Sequence, residues 1–380
     1  MSVKIALGMA SRSERLLVGA LSGFLLLSLA QGQTPPGWIE QYQAATQQLQ
    51  SGNHERATQL FEALGKAYPN DYELDYAIGT ALDSNADHRE ATDWYLKALR
   101  LNPQYGPTYN NLALNYVTRQ EFAKAVPLLE RAVQLDPRNG RAVYNLGLVH
   151  LQLKHFRQAA KAFQHAHELN PNERDPLARL AYASFLAGQR EEGLKALATL
   201  LRLSGERQES ALQAVQILDS VGLYHEAVAQ AQDARQAGLA SPRLSYEEAN
   251  ALCCLGNYRQ AADLLLKAGA PEGLALEYDL LLGSSQALAG DLPGAVRTLQ
   301  GAVHIAPQRP EPYYRLALAF LEGYRDQDAQ DVLAAGLQQI PESPLLLYGS
   351  GVVQEVPRRE AVRTSRKRAA ESNRVGPGRE

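Results

Sequence analysis

Histidines and cysteines are the residues of this sequence that could ligate a metal or attack a carbonyl, and there are eight and two of them. A zinc site needs three or four imidazole, thiolate or carboxylate groups converging on one point. His165 and His167 stand two apart, which on a helix sends them to different sides. His150 and His155 are separated by an expected helix end and turn, and no HExxH string occurs. Cys253 and Cys254 are adjacent, so on a helix their side chains diverge by about 100° and do not readily close a disulfide. They read as small core or groove residues, with an intermolecular disulfide in an oxidising compartment as the alternative. Gly349-Ser350-Gly351 lacks the GxSxG spacing of a nucleophile elbow and has no strand before it. No GxGxxG or GxxxxGK[ST] loop is present to aim backbone amides at a phosphate. The expectation is a protein that is not an enzyme, with no catalytic residue, no metal site and no cofactor.

Composition narrows the class further. Hydrophobic residues at 45% and charged residues at 21% are near globular averages, so the chain should fold. Two cysteines cannot build a disulfide scaffold, and a formal charge of −3 gives no sign of a nucleic-acid partner. That charge is unevenly placed. The tail from Pro357 to Glu380 carries eight basic and three acidic residues, on a body that is acidic. The run Arg366-Lys367-Arg368 reads as a solvated end, with contact to anionic lipid, to polysaccharide or to the acidic body as the alternatives.

Residues 1–30 have the form of an address. Lys4, Arg12 and Arg15 precede fifteen mostly apolar residues, Leu16 to Ala30, and Ser28-Leu29-Ala30 suits signal-peptidase cleavage. As a helix that run would span about 22 Å against a bilayer core of roughly 30 Å. A cleaved signal peptide is the expectation and an uncleaved N-terminal anchor the alternative. Residues 31–37 then form a linker.

The elements that must position everything else are set by a period. Pro69, Pro103, Pro137 and Pro171 follow one another at thirty-four residues, and Pro307 and Pro341 keep the phase. Ala57, Ala91, Ala125, Ala159, Gly193, Ala227, Ala261, Ala295 and Ala329 mark a second slot with the same spacing. A short turn such as Gly52-Asn53, Gly256-Asn257 or Gly290-Asp291, where glycine or asparagine takes positive φ, joins two helices that must run antiparallel. Such helices approach to roughly 8–10 Å only where one contact residue is small. Four residues after the small slot come Phe61, Tyr95, Leu129, Phe163, Leu197, Leu265, Leu299 and Leu333, on nearly the same face and expected in the core. Proline is expected to stop the second helix and to suit the start of the next. One hairpin cannot bury its apolar face alone, so the units must stack.

These residues resemble the tetratricopeptide repeat family. The unit from Gly106 to Asn139 fits its pattern at Tyr109, Leu112, Ala113, Tyr116, Ala125, Leu129, Ala132 and Pro137, and the next at Leu146, Gly147, Ala159, Phe163, Ala166 and Pro171. The resemblance covers about residues 38 to 343 as nine units: 38–71, 72–105, 106–139, 140–173, 174–207, 208–241, 242–275, 276–309 and 310–343. The units at 174, 208 and 242 are weaker, with Gly205, Leu239 and Gly273 in place of proline. Residues 344–380 read as a degenerate repeat or capping helix and the basic tail; Glu360-Ala361 resembles a second-helix signature whose spacing has slipped.

The fold implied is all-α, a tetratricopeptide-type α-solenoid: a right-handed superhelix of antiparallel helix pairs whose first helices line a concave groove. Carried over, the peptide-binding groove positions are Asn110, Asn111, Leu114, Arg141, Tyr144, Asn145, Leu148, Arg179, Tyr182 and Phe185. Asn111 and Asn145 occupy equivalent slots, and an amide ladder both donates to and accepts from a bound backbone. Arg179 and Ala77 end the ladder on either side; bonding of these asparagines to neighbouring helices alone is the competing reading. The carboxylate-gripping pattern of chaperone-binding members is not reproduced, since Leu114 and Asp175 stand where asparagine and lysine would be. The function expected is an exported, non-enzymatic protein–protein interaction scaffold, binding a peptide or helix segment of a partner, in envelope complex assembly if the cell is bacterial. Localisation would be the periplasm or secreted, with other proteins as partners, no nucleic acid, and the membrane only if the leader stays uncleaved. An accessory subunit of an enzyme whose catalytic domain is on another chain, and a membrane-tethered scaffold, are the alternatives.

Overall fold

The computed structural model describes residues 37–203 and 207–353. The leader, most of the linker, Gly205, Glu360-Ala361 and the basic tail lie outside the described residues. Among the described residues every regular element is a helix and there is no strand. The helices come in pairs that repeat every thirty-four residues, such as Tyr72–Ser84 with His88–Leu101, Gly106–Thr118 with Phe122–Leu135, and Gly140–Gln152 with Phe156–Leu169. The chain divides into two compact units, 1–196 and 197–380.

The small slot is where the two helices of a pair cross. Ala57, Ala91, Ala125, Ala159, Ala227, Ala261, Ala295 and Ala329 are fully buried, and Gly193 is buried too. The larger residues four positions on are also in the core, among them Phe61, Tyr95, Leu129, Phe163, Leu265, Leu299 and Leu333. Glycine stands at some crossings for a reason the coordinates supply. A Cβ on Gly193 would sit 2.6 Å from the ring of Phe185, and one on Gly147 2.7 Å from the ring of Phe163. An aromatic ring has taken the space that alanine's methyl group uses elsewhere.

Within each pair the turn carries one residue at positive φ, and these residues recur at thirty-four: Gly52, Ala86, Gln120, Lys154, Gly188, Gly222, Gly256, Gly290 and Tyr324. Asparagine does not share the task, for Asn53 has φ −87°. The four units without glycine hold Ala86, Gln120, Lys154 and Tyr324 at φ between 58° and 68°, because the hairpin geometry overrides the local preference.

The prolines act differently from the sequence expectation. The second helices end two residues before them, and the residue between is extended, as at Asn102 (φ −135°, ψ 89°) and Asp136 (φ −139°, ψ 87°). The proline of this slot does not itself start the next helix, which begins three residues later, as at Tyr72, Gly106, Gly140 and Arg174. It sits second in a four-residue turn closed by backbone bonds such as Tyr105 N–H to Asn102 O at 3.2 Å and Asn139 N–H to Asp136 O at 3.1 Å. There its fixed φ is favourable and its missing N–H is not required. Where the slot holds Gly273, the preceding helix, Tyr258–Ala268, is cut to 11 residues and ends at Gly269 with φ 76°.

Within each unit second helices pack on the first helices that follow them, as His88–Leu101 does on Gly106–Thr118 and Leu292–Ile305 on Pro310–Glu322. First helices also approach one another directly, Tyr72–Ser84 to Gly106–Thr118 and Gly106–Thr118 to Gly140–Gln152 in the first unit, and Pro242–Cys254 to Ala275–Leu288 in the second. Among the described residues no second helix comes as close to another second helix. Within each unit these neighbouring first helices therefore lie side by side.

Candidate functional site

The ten groove residues lie on or at the start of the first helices Gly106–Thr118, Gly140–Gln152 and Arg174–Leu186, all in the first unit. Three asparagines are joined into one chain of hydrogen bonds. Asn145 Nδ2 donates to Asn110 Oδ1 at 3.0 Å, and Asn110 Nδ2 donates to Asn111 Oδ1 at 3.1 Å. Asn111 Nδ2 then donates to Tyr76 Oη at 3.1 Å and, more distantly, to Thr80 Oγ1 at 3.4 Å. The chain crosses three successive first helices. Asn145 is only 9% exposed, so it mainly holds Asn110 in place, whereas Asn110 and Asn111 are half-buried.

Aromatic rings flank this chain. The Tyr76 ring meets Tyr105 edge-on at 5.3 Å between centroids, and Tyr105 meets Tyr72 at 5.1 Å. Burial raises the Tyr76 phenol, and the bonds to Thr80 and Asn111 with the nearby Arg141 charge partly offset it. Tyr144 packs on Phe163 at 5.4 Å, and burial raises its phenol while Arg179 of the next unit eases it back. Leu148 packs with Tyr144 against Phe163, and Phe185 covers Gly193. Arg141 is exposed, and Leu114 and Tyr182 are half-buried. The structure thus brings together Asn110, Asn111 and Asn145, and pairs Tyr144 with Arg179.

Tyr76 and Thr80 are absent from the sequence-derived set, although the period contains them. Tyr76 stands thirty-four residues before Asn110 and Thr80 thirty-four before Leu114. Projecting the same slots back by one unit finds both.

A second polar cluster lies where the pair 72–101 meets the pair 106–135. Asn115 is fully buried, donates to Asp83 Oδ1 at 2.9 Å and to the His88 carbonyl at 2.8 Å, and accepts from Thr92 Oγ1 at 2.9 Å. His88 Nδ1 is 2.5 Å from Asp83 Oδ1. Arg119 reaches Glu121 at 2.6 Å beside an open depression of about 690 Å³ lined by Ala86, Asp87, His88, Arg89, Glu90, Arg119 and Glu121. A hydrogen bond from Lys124, helped by Arg119, holds the Glu121 carboxyl below its usual range. Asn115 and Asp83 are satisfied within the cluster, which fits a role in locking two repeats together.

The remaining candidates stay apart. The His150 and His155 rings are 5.7 Å between centroids, and among the described residues no group of three or more His, Cys, Asp or Glu is placed to hold a metal ion. Cys253 and Cys254 are free thiols; Cys253 Sγ is 3.1 Å from Ser285 Oγ and Cys254 is exposed. Ser350 lies within a helix. Among the described residues no helix is long and apolar enough to cross a membrane.

Comparison with known proteins bears on this helix-pair architecture. No curated protein matches the sequence. Solved structures that resemble it include "MamA RS-1 ArsTM double mutant" (22% identity, TM-score 0.40, 46% of this chain and 98% of that one) and "MamA 41-end from Desulfovibrio magneticus RS-1" (23%, 0.39, 45% and 97%). A third is "Crystal structure of MamA protein" (20%, 0.41, 45% and 93%). The model of the tetratricopeptide repeat matches residues 42–106, 110–174 and 246–310, together more than half of the sequence. With its in-phase helical hairpins, small-residue crossings and turn prolines, the chain belongs to the tetratricopeptide repeat family, whose members are typically protein–protein interaction scaffolds and generally non-catalytic.

Proposed function

We propose that this protein is a non-enzymatic scaffold whose groove in the first unit captures an extended peptide or a helical segment of a partner. The observation that carries this reading is the hydrogen-bonded chain Asn145–Asn110–Asn111–Tyr76, which fixes amides on two first helices against a tyrosine hydroxyl on a third. Asn110 commits one amide N–H within the chain, and an amide carries two, so a donor of fixed direction remains for a backbone carbonyl, while buried Asn145 holds Asn110 in place. Arg141 and Arg179 add positive charge beside half-buried Tyr144 and Tyr182, a surface that suits a segment mixing apolar and acidic side chains.

Affinity purification from the native cell tests it. The combined variant Asn110→Ala, Arg141→Ala, Arg179→Ala should lose co-purifying proteins while keeping its helix content. An unchanged set of partners would dispose of the groove assignment.

Export completes the proposal. Its support is the basic and apolar pattern of residues 1–30, with envelope assembly suggested by family analogy for a bacterial cell. N-terminal sequencing of the mature protein should begin after Ala30; an intact Met1 on a cytosolic protein refutes it.

A further inference from the structure

Three tyrosines stand at the end of the asparagine chain. Tyr72 and Tyr76 belong to the first helix Tyr72–Ser84, and Tyr105 immediately precedes the next first helix, Gly106–Thr118. All three are half-buried. Their rings touch in series, with planes inclined at 63° between Tyr72 and Tyr105 and at 82° between Tyr105 and Tyr76, so neighbouring rings wall an angle instead of lying flat on each other. The polar groups left over beside them are donors. The amide oxygens of Asn110 and Asn111 already accept within the chain, from Asn145 and from Asn110. Asn111 gives its N–H groups to Tyr76 and Thr80, which leaves one N–H on Asn110. The Tyr105 hydroxyl has no hydrogen-bond partner among the described residues. A segment suited to this place offers free carbonyls and asks for few acceptors. A helix bonds its carbonyls internally, whereas a polyproline II segment leaves every carbonyl free, and proline has no N–H to leave unpaired.

Resting on the groove reading above, we infer that the captured partner segment is extended and carries proline, its pyrrolidine rings packing against Tyr72, Tyr105 and Tyr76 while its carbonyls accept from Asn110 and Tyr105. Charge sets the polarity of the segment. The Arg141 charge acts on Tyr76, and at the other end Glu73 accepts from the Tyr72 hydroxyl at 3.2 Å. An acidic side chain therefore follows the prolines on the Asn110 side and a basic one on the Tyr72 side. Polyproline II is already formed in the free segment, so docking orders little that was not ordered before.

Calorimetric titration of the full chain with synthetic peptides tests the inference. The probes are about six prolines with aspartate at one end and lysine at the other, in both orders, and the same peptides with alanine for proline. The better proline peptide should bind about ten-fold more tightly than its alanine counterpart, and Tyr105→Leu should remove about ten-fold of that affinity. Tyr348→Leu, at an exposed tyrosine of the second unit, should bind as the parent does. Circular dichroism should be the same for all three proteins. Proton resonances of the bound proline rings should move upfield under the tyrosine ring currents, a readout that needs no variant. Equal or tighter binding of the alanine peptide, no binding of either proline peptide, or unchanged affinity in Tyr105→Leu overturns the inference. The groove reading then still stands if the combined variant Asn110→Ala, Arg141→Ala, Arg179→Ala loses its native partners, and falls as well if they are retained.

Discussion

The ring of Phe163 lies over Gly147 so closely that a Cβ there would be 2.7 Å from Cε1. Both residues are in the core, so the ring could yield only by shifting against packed neighbours. Gly147→Ala should therefore overpack the pair and destabilise the array by about 1–3 kcal/mol. Gly106→Ala, whose nearest added contact is an ordinary 3.6 Å to Leu135, is the matched control and should be neutral or slightly stabilising. Urea melts of the two variants check this.

Left-handed turn residues give a second expectation. Lys154 has φ 60° at the slot where Gly256 has φ 78°. Lys154→Gly should stabilise by a few tenths of a kcal/mol, since relief of left-handed strain exceeds the added chain entropy of glycine, and Gly256→Ala should destabilise by about 1 kcal/mol. Opposite shifts in melting temperature are the readout.

Asp75 has no exposed surface, and Lys97 Nζ holds its Oδ1 at 2.6 Å while lying 4.7 Å over the Trp94 ring. Burial raises the Asp75 carboxyl despite this partner. Lys97→Met leaves a buried carboxylate alone and should destabilise by about 2–4 kcal/mol at neutral pH, whereas Lys97→Met with Asp75→Leu should recover much of it. A double-mutant cycle by chemical denaturation measures the coupling.

His150 supplies a pH dependence. Burial, then the neighbouring His155, lowers its folded pKa below 6.5, and its Nδ1 has no hydrogen-bond partner. Between the two values the unfolded chain binds more protons, so this contribution is present above about pH 6.5 and is lost as pH falls from there towards the lower folded value. His150→Tyr, which installs the residue that Tyr116 provides in the preceding unit, should flatten the stability profile between pH 7 and 5. Melting temperatures across that range decide it.

The repeat and its crossings were legible in the amino acids because close helix packing restricts residue type at fixed intervals: Ala125 and Ala159 are small wherever one looks along the period, and both are buried. Equivalent slots of successive units can be projected along the same period, which is how one unit back reaches Tyr76 and Thr80. Partnership was not legible. That Asn145 spends its amide on Asn110, that Phe185 fills the space over Gly193, that Asp75 and Lys97 form an ion pair, and that Gln120 and Lys154 take glycine's conformation all depend on distances between helices. The sequence by itself determined the period, the helix pairs and the residue types at their crossings, because steric limits act on each position separately. Only the tertiary structure decided which polar groups satisfy one another and which face stays open, because hydrogen bonds and burial belong to pairs of residues brought together by packing.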